Sequence, residues 1–348
     1  MGIVKHLNAA YIINRRYPVN YIDGQLDYCK KEFSYTTNNI ILSEFKNTLI
    51  SKSGCIYTDY FKIVQDSLKN PTEIKYAYLH LAKSLLFKKK IKLSDTENYL
   101  IAFDGYTDSH YHWFCDFLPR VLAIDGLTND YVLILPYNKY VLEVGIKTLD
   151  LLQIRFKDII LIKEDEYFVC KKCFMISHPC ISGRIDDILM KKVKHLIDKY
   201  IVDTNNDNIS DQLLYVSRSK AKYRYLLNEN EVIPILKEYG FSIINFEDYT
   251  IMDQVKLCAN SKVMVGLHGA GLTNMIFMKE KNLVTEFRRN RIYHNQCYWH
   301  LADSLNLEYA YLFGEPDREI AIEGNGCNLT LPPKQLTNYL DWLHNRKA

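Results

Sequence analysis

The sequence contains no uninterrupted run of the ~18 apolar residues that a membrane span needs. Its opening stretch, MGIVKHLNAAYIINRRYPVN, has no long apolar core and so lacks the pattern of a secretory signal. The MGxxxx start does not read as a myristoylation site, because His6 stands where Ser or Thr is preferred. Neither sign of charge dominates. Forty-four Lys and Arg against 41 Asp and Glu give a formal +3, too little for a nucleic-acid footprint. There is no GxSxG elbow, no GK[ST] phosphate loop and no dinucleotide GxGxxG. Those absences remove the serine-hydrolase, P-loop and nicotinamide readings, including a sugar epimerase. No internal repeat or low-complexity tract is present, so solenoids and disordered tails are excluded.

Metal chemistry is equally thin. Nine cysteines, an odd number at irregular spacings, fit reduced thiols inside a cell. Cys170 and Cys173 form a lone CxxC without the second pair of a structural zinc site. His110 and His112 lack a third ligand, and His294, Cys297 and His300 fall at i, i+3, i+6, where a helix splits them. Glu164-Asp165-Glu166 is a close acidic cluster outside the phosphate-binding half, read as a solvated loop. No metal and no cofactor is expected. The expected location is the cytoplasm, with peripheral contact at the inner face of the cell membrane left open.

What is present is core-forming material. Hydrophobic residues make up 48% of 348, enough for two domains. Tyr reaches 27, which reads either as biased composition or as the aromatic lining of a sugar cleft. The first ~95 residues mix short β-like runs (39–45) with a helix over 73–88. From residue 98 strands alternate with helices. Strands are predicted at 98–105, 131–136, 158–165 and 166–177, with helices at 110–126 (bent at Pro119), 139–154 and 183–202. The polar TNNDNISD at 204–211 reads as a linker. Beyond it strands are predicted at 213–218, 241–247, 262–269, 282–287 and 307–314. Helices fall between them, one of them N-capped by Asn228, and a last helix spans 334–346. Alternation of this kind predicts an α/β chain of two Rossmann-like domains, each a parallel sheet covered on both faces. The expected division is 1–204, 205–330 and a C-terminal helix, 331–348, packing back toward the N-terminal domain. A ligand then belongs at strand carboxyl ends, in a cleft between the domains.

Four motifs carry chemistry. In Gly266-Leu267-His268-Gly269-Ala270-Gly271-Leu272-Thr273-Asn274 a buried strand runs into a three-glycine turn and then a helix. Free N–H groups at such a helix start favour an anion, although tight packing alone also asks for glycine. In Ser217-Arg218-Ser219-Lys220-Ala221-Lys222-Tyr223-Arg224 four cations follow one strand end. Arg218 and Arg224 can grip phosphate in a bidentate way and Lys222 adds a point charge; the alternative is a solvated basic loop. In the segment 110–120, His112, Asp116 and Arg120 share a helix face at i, i+4, i+8, with His110 and Trp113 beside them. An Asp–His pair is a usable general base, and a capped helix with a buried, bonded His is the bland reading. Glu286 ends the strand NLVTEF, where an acid can accept from a ribose diol or simply pair with Arg288 or Arg289.

Taken in order, HYHWFCDFLPR (110–120), LLYVSRSKAKYRYLLNENEV (213–232), the stretch 246–278 and VTEF (284–287) make the chain resemble glycosyltransferase family 61. The resemblance implies a GT-B fold and inverting, metal-independent transfer from a nucleotide-sugar, often UDP-linked. By matching motif, Arg218, Arg224, His268, Gly269, Ala270, Gly271 and Asn274 would face the diphosphate and Glu286 the ribose, with Lys222 of the basic loop expected to join the donor-binding set. Asp116 is the expected base, with His112 second. His110, Trp113 and Arg120 would stand on the acceptor side. The expected partners are a nucleotide-sugar donor and a glycan or glycolipid acceptor in surface polysaccharide synthesis, as in bacterial or viral members. No nucleic acid is expected. The alternative is an inactive nucleotide- or glycan-binding protein of the same fold.

Overall fold

The computed structural model describes residues 2–68, 71–124, 126–204, 211–289, 294–322 and 326–347. It is a mixed α/β structure with two main sheets. Its strands are β1 (Gly2–Asn8), β2 (Ile12–Asn14), β3 (Ser34–Thr36), β4 (Ile40–Ile50), β5 (Ile56–Thr58), β6 (Lys62–Ile63), β7 (Lys89–Lys92), β8 (Tyr99–Ile101) and β9 (Val132–Pro136). They continue with β10 (Asp158–Ile162), β11 (Glu166–Ile176), β12 (Gln212–Val216), β13 (Phe241–Ile244), β14 (Ser261–Leu267), β15 (Leu283–Arg289), β16 (Glu308–Pro316) and β17 (Leu329–Thr330). β2 and β3 pair as a small ribbon.

The chain divides into two compact units, but not at one point. The first comprises residues 1–12, 36–182 and 186–196; the second comprises 13–35, 183–185 and 197–348. The expected continuous N-terminal domain, 1–204, is thus corrected: the segment 13–35 belongs with the second unit. Its ties are long-range and carry no local periodicity. Val19 N–H donates to Tyr309 O at 2.8 Å, Asn20 bonds Tyr311 through both backbone groups, and Phe33 meets Trp299 edge-on at 4.5 Å. Most of the expected linker, residues 205–210, lies outside the described residues.

In the first unit the sheet runs β10-β9-β8-β11-β4-β5-β6, with β1 on β4 and β7 on β11. β8, β9 and β10 are parallel neighbours, and β11 is parallel to β8. β4, however, runs antiparallel to β11 over eleven-residue strands, pairing Phe168 with Ile50 and Ile176 with Leu42. The purely parallel sheet expected here is therefore corrected to a mixed one. The partners lie more than a hundred residues apart, so alternation within either strand does not reveal their direction. The helix predicted over 110–126 runs from His110 to Leu122, and its distortion precedes Pro119. The turn Trp113–Phe117 is a π turn, with Leu118 N–H reaching Trp113 O. A widened turn accommodates a proline that removes a donor and crowds the carbonyl four residues back. A second π turn, Val141–Gly145, faces it: a Cβ on Gly145 would lie 2.8 Å from the Trp113 indole.

The second unit's sheet has the order β13-β12-β14-β15-β16, all parallel, with β17 antiparallel at the edge. Counted from β12, that is the doubly wound order 2-1-3-4-5, whose direction of winding reverses between β12 and β14. The apolar faces of Val263, Val265, Leu283 and Phe287 build its core with Val232 and Leu236 of the helix Glu229–Glu238. Leu336, Tyr339, Leu340 and Leu343 of the final helix, Pro333–Lys347, join the same core. That helix thus packs on the second sheet, where the sequence reading sent it toward the first domain. Asn228 takes the N-cap position of Glu229–Glu238, but its side chain makes no capping hydrogen bond. Its amide instead clamps Leu331, donating to the carbonyl at 2.8 Å and accepting from the N–H at 3.0 Å.

Candidate active site

β12 and β14 end side by side, and their loops carry the two motifs singled out for phosphate. Carboxyl ends flanking a winding reversal are where open α/β sheets bind ligands. The loop after β12 folds back so that Arg218 Nε donates to Arg224 O at 2.8 Å and Nη2 to Tyr223 O at 2.7 Å. Arg224 reaches this turn with φ +64°, a left-handed backbone that L residues rarely adopt. The Arg218 guanidinium lies against Gly269: a Cβ there would sit 1.9 Å from Nη1. Glycine at 269 is therefore required for arginine at 218. Gly271 has a packing role, since its Cβ would lie 2.8 Å from Val216 Cγ1.

Burial, and next the like charge of Arg224, pull the Arg218 guanidinium down to about 10. Among the described residues neither arginine forms an ion pair with a carboxylate, whereas Lys220 on the same loop pairs with Asp248. Arg224 Nε is buried without a hydrogen-bond partner among the described residues. Two guanidiniums held together this way are stabilised by any anion that binds both. Lys222 is exposed on the loop. Ala270 opens a 3-10 helix, Ala270–Phe277, with Leu272 N–H bonded to Gly269 O.

Behind this loop stands a buried polar cluster. His268 Nδ1 meets Glu286 Oε1 at 2.5 Å and His294 Nε2 meets the same oxygen at 3.0 Å. Tyr309 donates to Oε2, and Arg288 Nη1 donates to the Tyr309 hydroxyl at 3.2 Å. The His268 ring lies 4.7 Å from His294 and 4.9 Å from Tyr298. Burial opposes charge on Glu286, but His294 and His268 outweigh it and hold the carboxyl well below its usual range. Burial drives His294 down to about 3.

Glu286, expected at a ribose, is fully buried, with both carboxylate oxygens engaged by His268, His294 and Tyr309. Asn274 is likewise buried and donates to Gln254 Oε1 at 2.9 Å. His268, Glu286 and His294 also place three ligand-type atoms within 4.8 Å of one another. The same atoms are joined by the hydrogen bonds given above. Sequence reasoning named Arg288 only as a pairing alternative and His294 only in a rejected metal spacing, and it missed Tyr309 and Tyr298. The available signal was β15 itself, LVTEFRR, whose charged residues sit within a strand buried along its whole length.

In the first unit the π turn brings His112 and Asp116 together, Nδ1 to Oδ2 at 2.5 Å. Both side chains keep some exposure, 21% and 13%, which distinguishes them from their neighbours. The rings of Tyr106 and Tyr111 each lie 5.3 Å from His112. His110 bonds the Tyr140 hydroxyl at 3.0 Å. Trp113 is fully buried, stacked on Phe117 at 4.3 Å, and Arg120 is 1% exposed with Nε and Nη2 on Ile176 O. Both residues, expected on the acceptor side, thus lie buried within the first unit. The face that looked polar in sequence turns into the sheet at Arg120. There Asp104 and Asp116 lend it countercharge while burial lowers the guanidinium to about 10.

A family model, Glycosyltransferase 61, matches residues 110–285, just over half of the chain's 348. The chain belongs to glycosyltransferase family 61. Among similar proteins is the EGF domain-specific O-linked N-acetylglucosamine transferase of Drosophila melanogaster, 30% identical over 28% of this chain and 19% of that protein. The Mus musculus protein of the same name is 23% identical over 57% of this chain and 42% of its own length. An alpha-1,3-arabinosyltransferase of Oryza sativa subsp. japonica is 35% identical over 20% of this chain and 12% of that protein. The chain thus matches less than half the length of each of these relatives, two named as N-acetylglucosamine transferases and one as an arabinosyltransferase.

Proposed function

We propose that this family 61 enzyme is a GT-B-type, inverting, metal-independent transferase that uses a nucleotide-sugar, with UDP the favoured nucleotide. The carrying observation is the Arg218–Arg224 pair at the winding reversal of the second sheet. It is held against Gly269 and left without a carboxylate partner among the described residues. A diphosphate matches it in charge and in number of acceptors. The backbone amides around Gly269 and Ala270 supply neutral donors to the same anion.

In the proposed step an acceptor hydroxyl oxygen bonds to the anomeric carbon as the bond from that carbon to the diphosphate oxygen breaks. The electron pair leaves with the diphosphate, whose charge the arginines meet. The hydroxyl proton passes to the His112–Asp116 pair. With Nδ1 bonded to Asp116, the neutral ring carries its lone pair on Nε2, so His112 takes the proton and Asp116 stabilises the imidazolium. This reverses the order expected from sequence. The acceptor is a glycan or glycolipid hydroxyl of a surface polysaccharide. Calorimetry with UDP on wild type and Arg218→Ala tests the donor half: binding to the first and a loss of about tenfold or more in the second is expected. Equal affinity in both would remove the arginine from the site. Transfer that stops in excess EDTA would overturn metal independence.

A further inference from the structure

We propose that the first unit holds a separate pocket for a neutral acceptor sugar, walled by the helix Ile74–Phe87 and floored by the loops after β4 and β8. This inference rests on the transferase reading given above. Two adjoining cavities, about 460 and 220 Å³, share Ser53, His80, Asp104 and Gly105. The larger lies within the ~300–1,000 Å³ usual for small-molecule sites.

The fold builds this pocket where parallel sheets bind ligands. β8, β9 and β10 all run parallel, and Asp104, Asn138 and Glu164 follow their carboxyl ends. The β4–β5 turn closes the floor. Gly54 takes φ +78°, and a Cβ there would lie 2.5 Å from Phe103 O, so the turn is pressed onto the end of β8. On the helix side Tyr76 and His80 line the larger cavity, and Tyr106 lines it from the loop. Tyr76 and Tyr106 are 68% and 44% exposed. An aromatic that remains exposed at a cavity rim offers a flat face to the C–H surface of a pyranose, while carboxylates and an amide take its hydroxyls. Glu73 already shows the second habit, accepting from the Tyr106 hydroxyl at 2.6 Å.

Charge selects the sugar class. Four carboxylates, Glu73, Asp104, Asp108 and Glu164, line the two cavities against two lysines. Both lysines, Lys52 and Lys88, pair with Glu164 at 2.6 and 3.4 Å. An acidic or phosphorylated sugar would meet net repulsion, and a neutral one would not. The pocket also borders the proton-accepting pair, because the Tyr106 ring lies 5.3 Å from that of His112. Its walls, within residues 51–108 for the most part, precede the stretch matched by the family model.

Saturation-transfer NMR on the full chain tests this. The probes are methyl β-D-glucopyranoside, methyl β-D-xylopyranoside and N-acetylglucosamine, with glucose 6-phosphate as the anionic comparison. At least one neutral probe should bind with millimolar affinity, weakened about tenfold by Tyr76→Ala and by His80→Ala. Both side chains are on the surface, and UDP affinity should stay at the wild-type value in each variant. The proposal is overturned if no neutral probe binds up to about 50 mM, if both variants bind as wild type does, or if glucose 6-phosphate binds best. UDP binding without glycoside binding defeats the pocket alone. Glycoside binding without UDP binding defeats the donor reading and leaves the pocket standing.

Discussion

Gly269→Ala separates a ligand-gripping glycine from a merely conformational one. Gly269 is extended, with φ 170° and ψ 163°, so the backbone accepts alanine. The obstacle is the Arg218 guanidinium, whose Nη1 and Cζ would lie 1.9 and 2.7 Å from the new methyl. A guanidinium ends a flexible side chain, so it swings away and the sheet is left undisturbed. In leaving, it gives up hydrogen bonds at 2.8 and 2.7 Å to Arg224 O and Tyr223 O, and it vacates its place beside Arg224. One charge-assisted contact to a diphosphate is worth about 1.5–3 kcal/mol, so UDP binding should weaken roughly 10- to 150-fold. The loop carbonyls remain near solvent, and the thermal midpoint should move only a few degrees. The paired control is Gly271→Ala, whose Cβ meets Val216 Cγ1 at 2.8 Å. Val216 is buried strand and cannot step aside, so that change should cost stability first. Calorimetry and differential scanning fluorimetry on both variants read the two effects. Wild-type UDP affinity in Gly269→Ala, with Arg218→Ala impaired, would refute the close-contact argument.

Other consequences follow from the remaining residues. His112→Ala and Asp116→Asn should each lower kcat by about 10²–10⁴ with donor affinity intact; normal turnover in either would dismiss the pair as base. His294 is held near 3, below its ordinary value, so the native state refuses a proton that the unfolded chain accepts. Its contribution is whole above pH ~6.5 and is lost as pH falls toward 3, by about 1 kcal/mol between pH 6.5 and 5.5. Urea titrations at both pH values should show this loss shrinking in His294→Gln; an unchanged pH dependence would clear His294. Arg120→Met removes a buried cation that faces Asp104 and Asp116, and should destabilise by about 3 kcal/mol. In the fraction that folds, the acid limb of the kcat profile should move to higher pH; an unmoved limb would confine Arg120 to structure.

Local signals carried far into this molecule. The strand–turn–helix at 261–277 and the basic loop after β12 were legible because glycine and clustered cations mark backbone approach and anion contact within a few residues. The His112–Asp116 pair was legible from an i, i+4 spacing, which survives the π turn. Most strands and helices beyond residue 98 were fixed by apolar periodicity alone.

Tertiary structure decided what one-dimensional spacing does not encode. The antiparallel pairing of β4 with β11 and the attachment of residues 13–35 to the second unit join residues far apart in the chain. Burial then sorted the polar residues. Arg120, Trp113 and Glu286 share motifs with residues that keep some exposure, yet each is turned inward and satisfied or packed by its neighbours. A sequence states which groups can ionise or donate. Which of them meets a ligand depends on the direction in which each side chain leaves its element and on what already occupies the space there.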